Sequence, residues 1–197
     1  MAQITLREKQ IQTNGELPPV GTIISQFKLK KPDLSWMDSN QMIGEKSILN
    51  IFPSIDTSTC ATSVREFNKR AAQLDGVKVY CISRDLPFAQ KRFCGAEKTE
   101  QVETLSAFRN IHAFADSYGV HIKSSSLQGL TSRAVVVLDE NNTVIHSELV
   151  AEITEEPNYE SAIKSLRDFK YGSKQPGVSA YRFYCFCRCS RGYLHRY

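Results

Sequence analysis

Two periods of hydrophobic and polar positions run through this chain. Val64, Phe67, Ala71 and Leu74 recur at helical spacing and predict an amphipathic α-helix. Four positions before Val64, Cys60 continues that stripe and falls in the first turn. Asp56, Thr57 and Ser58 are good N-terminal capping types, and Gly76 closes the segment. A second stripe of Tyr159, Ala162, Ile163, Leu166 and Phe169 predicts another helix, begun at Pro157 and Asn158. Residues 87–93 read as a short helix entered through Pro87, and 109–118 as a helix ended by Gly119.

Other stretches read as strands. Residues 47–52, 77–83 and 134–138 are short, mostly apolar runs, the pattern of strands buried on both faces. Pro53 stops the first run. Residues 139–142 make a turn, and 143–150 return antiparallel. Residues 27–30 alternate like a half-exposed strand, and residues 4–6 and 11–13 flank a charged turn as a hairpin. The order predicts an α/β fold: a central mixed β-sheet flanked by helices, preceded by an N-terminal β-hairpin. A thioredoxin-like layout fits it.

The last 27 residues break the pattern and change the charge picture. From Tyr171 onward there are five Lys/Arg and no Asp or Glu, leaving 20 basic against 21 acidic residues before it. The near-neutral body suggests no nucleic-acid partner. No apolar run is long enough for a membrane span, and no export signal is read at the N-terminus, so a cytoplasmic protein is expected. The domain is expected to be 1–169. Residues 170–197 read as a basic, aromatic, Cys-rich and poorly ordered extension, carrying Cys185, Cys187 and Cys189. Its thiols and aromatics are a crosslinking liability more than a metal site, because a fourth ligand at a recognised spacing is missing.

Three cysteines lie in the body: Cys60, Cys81 and Cys94. In a reducing compartment a cysteine of consequence is catalytic, redox-sensing or metal-binding rather than part of a disulfide framework. Taken alone, Cys60 reads as a small buried hydrophobe. Its place in a first helical turn adds a second reading, because unpaired N–H groups there favour a thiolate. The loop from Phe52 to Cys60 carries a proline and several hydroxyls, and Cys94 follows in Arg92-Phe93-Cys94-Gly95. Such parts suit a peroxide-reducing thiol, which needs a nucleophile, donors for the departing alkoxide and a second thiol. Cys81, among strand residues, reads as structural, and Asn50 as a hydrogen-bonding core residue. His112, His121 and His146 read as scattered, without Asp or Glu at metal-ligand spacing, so neither metal nor cofactor is expected in the body.

The run Pro53-x-x-x-Thr57-x-x-Cys60 matches the peroxiredoxin signature. Residues 50–65, 81–90, 92–97 and 133–139 together closely resemble the bacterial thiol peroxidase family, the atypical two-cysteine peroxiredoxins. The resemblance implies a thioredoxin-like fold and peroxidase activity on hydrogen peroxide and alkyl hydroperoxides, organic ones favoured. It implies Cys60 as the peroxidatic cysteine and Cys94 as the resolving one, joined in one chain by a disulfide. Pro53 would shield the sulfur, Thr57 orient it and the peroxide, and Arg133 stabilise charge. Without the motif, Arg133 reads as a surface charge flanking a strand. Homodimerisation and recycling by thioredoxin are further implications. A redox sensor using the same two cysteines is the alternative. A thiol–disulfide oxidoreductase is disfavoured, since Thr57 stands where a Cys-x-x-Cys motif would need its first cysteine.

Overall fold

The computed structural model describes residues 1–172, with side chains through Phe169. The expectations for the tail beyond Gly172 lie outside the described residues. An N-terminal hairpin, β1 (Gln3–Leu6) and β2 (Lys9–Gln12), pairs Leu6 with Lys9 around Arg7 and Glu8. Both turn residues have positive φ, 51° and 68°, as a tight two-residue hairpin turn requires.

The main sheet has seven strands in the order β4-β3-β7-β6-β5-β8-β9. They are β3 (Lys28–Lys30), β4 (Trp36–Asp38), β5 (Lys46–Ile51), β6 (Val77–Ser83), β7 (Glu103–Ser106), β8 (Ala134–Leu138) and β9 (Val144–Leu149). Strands β5, β6 and β7 are parallel, while β8 joins β5 antiparallel, with Ile51 opposite Ala134. The sheet is therefore mixed, as expected.

Its central strands are apolar throughout because both faces are covered, yet the twofold alternation still sorts their side chains. Leu49, Ile51, Tyr80, Ile82, Val136 and Leu138 face one core with Phe27, Phe114 and Tyr118. Ile48, Phe52, Val79, Cys81, Val135 and Val137 face the other. That second core is covered by α1 (Ser58–Ala71), through Cys60, Val64 and Phe67, and by α3 (Tyr159–Gly172), through Tyr159, Ala162 and Leu166. Ile4 and Ile11 of the hairpin pack on Ile122 and Ile153.

Four details depart from the sequence expectations. Helix α1 ends at Ala71, and Gly76, at φ 68°, leads into β6 rather than closing the helix. Helix α2 runs from Pro87 to Glu97, past Phe93, because no backbone break comes before Lys98 at φ 52°. The segment after β7 contains a π-helical turn, His112–Asp116, wider than the α-helix that its pattern suggests. Strands β4 and β7 were not legible at all. Among the described residues no helix is long and apolar enough to cross a membrane.

Candidate active site

Strand β5 ends at Ile51, and the chain turns through Pro53 into α1. Two neighbouring loops hold this turn. Thr131 Oγ1 donates to the Phe52 carbonyl at 2.6 Å. The Asp85 carboxylate, in the loop after β6, accepts from Ser54 Oγ at 2.7 Å, Ile55 N at 2.6 Å and Ser83 Oγ at 2.7 Å. Ser106 Oγ in turn donates to the Asp85 carbonyl. A chain segment with few regular partners is thus fixed by side chains, as buried backbone groups require.

Thr57 is the N-cap of α1 but makes no capping bond through its side chain. Its hydroxyl donates instead to the Ser54 carbonyl at 3.1 Å. Cys60 is the third helical residue, within the turn whose N–H groups lack intrahelical acceptors. Its side chain is fully buried. Ser63 Oγ donates to the Cys60 carbonyl at 2.8 Å and accepts from Asn50 Nδ2 at 3.2 Å. Asn50 Nδ2 also lies 3.6 Å from Cys81 Sγ. Asn50 is therefore the core hydrogen-bonding residue expected. Burial pushes the Cys81 thiol up to about 12, so it stays protonated.

Arg133 is not a surface charge. It is 2% exposed, just before β8. Its Nε donates to the Ile153 carbonyl at 3.1 Å, and its Nη2 donates to Cys60 Sγ at 3.4 Å. Its Nη1 is buried and has no hydrogen-bond partner among the described residues. A guanidinium cannot shed its charge, so a buried one demands an anion nearby. The sulfur of Cys60 is the group it meets.

Arg133 also lines a cavity of about 400 Å³ together with Pro53, Thr57, Leu127, Leu130 and Ile153. Leu6 and Arg7 of the hairpin form part of its wall. The predicted site residues Pro53, Thr57, Cys60 and Arg133 are thus brought together. Cys94 is not among them. It sits in the last turn of α2, half-buried, with Sγ 3.8 Å from Thr104 Oγ1 on β7. Both thiols are free.

Two groups of residues escaped the sequence reading. Asp85 and Thr131 position the loop, and their signal was only their place beyond the ends of strands, where α/β sheets gather functional residues. Scattered along the sequence, His112 and His121 nevertheless converge on Asp116. His112 and Asp116 are four residues apart on the wide turn, and His121 follows five residues later, held beside them by Asn14.

Comparison with known proteins matches this picture. The Redoxin family model matches residues 19–163. A protein named thiol peroxidase from Mycobacterium tuberculosis is 53% identical over 166 residues, 84% of this chain and 99% of that protein. One of the same name from Corynebacterium glutamicum is 46% identical over the same shares. A crystal structure of a peroxiredoxin-like protein from Aquifex aeolicus superposes with a TM-score of 0.78 at 32% identity, covering 85% of this chain and 97% of that one. A thiol peroxidase from Chromobacterium violaceum, at 20% identity, shares the fold with a TM-score of 0.80. A match spanning most of the chain, with relatives this similar end to end, means that the chain belongs to the Redoxin family, as a peroxiredoxin of the thiol peroxidase type.

Proposed function

We propose that this peroxidase reduces hydrogen peroxide and organic hydroperoxides through Cys60, resolves through Cys94, and is recycled by thioredoxin. The observation that carries the reading is the buried contact of Arg133 Nη2 with Cys60 Sγ at 3.4 Å. It places a permanent cation against the nucleophile and leaves Nη1 for an incoming oxygen.

The Cys60 thiolate attacks the terminal peroxide oxygen, and the O–O bond breaks. Sulfur becomes a sulfenic acid, and the alkoxide takes a proton and leaves as alcohol. Arg133 stabilises the negative charge as it moves from sulfur to the departing oxygen. Thr57 and Pro53, on the cavity wall, orient the peroxide and keep water from the sulfur. The apolar side chains Leu6, Leu127, Leu130 and Ile153 suit an alkyl tail. Cys94 then attacks the sulfenic sulfur, forming the disulfide and releasing water. A dithiol reductant restores both thiols.

The resolving step needs movement. Cys94 Sγ reaches Thr104 on β7, whereas Cys60 Sγ meets Arg133 at the start of β8. Both thiols are free, and each keeps a different partner in this structure. A disulfide requires Cα atoms within about 7 Å. The first turn of α1 and the end of α2 must therefore unwind locally after oxidation.

A reducing cytoplasm is the compartment in which such a dithiol is recyclable. The exposed side chains Leu86, Phe88 and Phe108, beside the ends of β6 and β7, favour a second copy as partner. Sedimentation of the reduced protein tests that dimer.

The chemistry is tested by adding one equivalent of cumene hydroperoxide to fully reduced protein and mapping thiols by mass spectrometry. A Cys60–Cys94 disulfide with Cys81 free is expected, followed by turnover with thioredoxin and its reductase. Oxidation confined to other cysteines would overturn the assignment. Oxidation of Cys60 without turnover would favour a sensor.

A further inference from the structure

A second chemical cluster lies on the π-helical turn, on the opposite core face from Cys60. We propose that His112, Asp116 and His121 form a binding site for a divalent transition metal, zinc in the first place. The mixed donor set of two imidazoles and one carboxylate suits zinc and its neighbours and does not suit magnesium or calcium.

The donors already stand close to ligating distances. His112 Nδ1 is 3.4 Å from Asp116 Oδ2, and His121 Nδ1 is 2.7 Å from Asp116 Oδ1. One ligand atom from each residue falls within 4.8 Å of the other two. Bonds of 2.0–2.1 Å at a tetrahedral centre put neighbouring donors about 3.4 Å apart. His112 has a largely exposed side chain, so a small rotation of its ring completes the set. The remaining coordination positions would be taken by water.

The scaffold is fixed before any metal arrives. Asn14 Nδ2 donates to the Asp116 carbonyl at 3.0 Å, and Asn14 Oδ1 accepts from His121 N at 2.9 Å. Asn14 N donates to the His121 carbonyl at 2.9 Å. One side chain and its backbone therefore clamp two of the three ligands. Gly119 lies between them at φ 66°, and a Cβ there would stand 2.2 Å from the Glu16 carbonyl oxygen. The close approach of residues 14–16 to this turn thus depends on glycine. Groups that orient ligands in this way raise the affinity of a site.

A cation already occupies the focus of the cluster. Lys123 Nζ is 3.1 Å from His121 Nδ1 and 3.7 Å from Asp116 Oδ1. Nδ1 cannot donate to Asp116 and accept from Lys123 together, so the lysine ammonium competes for the lone pair a metal would use. The Lys123 side chain is 44% exposed and free to swing away. The lysine accordingly sets the affinity: metal binding must displace it.

The test titrates the reduced, full-length protein with Co²⁺ and then displaces it with Zn²⁺. Thiolate ligation produces intense sulfur-to-cobalt charge-transfer absorption. A nitrogen–oxygen set gives only weak ligand-field bands, so cobalt on any of the six cysteines is told apart from cobalt at this site. One equivalent of cobalt without the charge-transfer band is expected, released by zinc. His112→Ala and Asp116→Asn, both at exposed positions, should weaken it about 10-fold or more. Lys123→Gln should strengthen it, an effect that removal of a surface charge elsewhere would not give. Cys60 oxidation by peroxide checks that each variant is folded. Cobalt binding that is equal in all four proteins, or that carries only the thiolate signature, would overturn the proposal.

Discussion

Asp85 and Ile55 lie 30 residues apart, yet the carboxylate of one holds the backbone N–H of the other at 2.6 Å. The same carboxylate takes the hydroxyls of Ser54 and Ser83. The loop that carries the chain from β5 to Cys60 is thus shaped from outside itself. Asp85→Ala leaves three donors without their acceptor, each loss costing about 1–3 kcal/mol where burial is complete. Slower sulfenic acid formation is expected, together with a lower urea midpoint. Rapid-quench mass spectrometry and equilibrium unfolding measure the two. Asp85→Ala with an unchanged oxidation rate would mean that the loop holds its shape through Thr131 alone.

The buried guanidinium of Arg133 gives a sharper expectation. Replacing it by Met keeps much of the volume but removes the donor facing Cys60 Sγ. Peroxide reduction should slow about 10²–10³-fold, the usual loss for one preorganised donor at a developing anion. Arg133→Lys should recover only part, since a lysine lacks the spread fork whose Nε and Nη2 reach the Ile153 carbonyl and the sulfur. Pre-steady-state oxidation kinetics with cumene hydroperoxide decide it.

Cys81 shares the second core with Cys60 and is equally buried. Burial holds its thiol protonated to about pH 12. Cys81→Ala should leave peroxide turnover unchanged and lower stability by about 1–2 kcal/mol. In the native protein, iodoacetamide should spare Cys81 at neutral pH and modify it only after unfolding. Labelling at equal rates in both states would contradict its burial.

Glu152 ties the hairpin to the loop after β9. Its carboxylate is pulled from the ordinary value of 4.5 down to about 2 by the Thr154 hydroxyl, then by Arg7 N, Thr5 and Glu8 N. A depressed carboxylate contributes stability that is present above pH 4.5 and lost as pH falls toward about 2. Glu152→Gln should therefore be less stable than the parent at neutral pH, and the difference should close across that acid window. Urea titrations at several pH values show it. Because Leu6 and Arg7 wall the cavity, the same variant should raise KM for bulky hydroperoxides more than for hydrogen peroxide.

The sequence was informative where a period or a long apolar run had room to repeat. Helices α1 and α3 and strands β5, β6 and β8 were readable for that reason. Strand β4, Trp36–Asp38, has three residues and one buried position, too few for any alternation to register. Strand β7 mixes Glu103 and Thr104 with Leu105 and reads as loop, though it pairs in register with β6. Cys60 was placed from its stripe. Arg133 came only from the motif, since nothing local says that a charge before a strand is buried. His112 and Asp116 stand at i,i+4, a spacing open to a local rule, but the placing of His121 beside Asp116 rests on Asn14, more than 100 residues earlier.

Cys60 and Arg133 are 73 positions apart, on elements joined only when β5 pairs with β8. Pairing across such a separation is among the slower events of folding. A nascent chain exposes the cysteine well before the arginine has been synthesised. The Arg133 contact on which the proposed chemistry relies is therefore assembled only when the sheet closes.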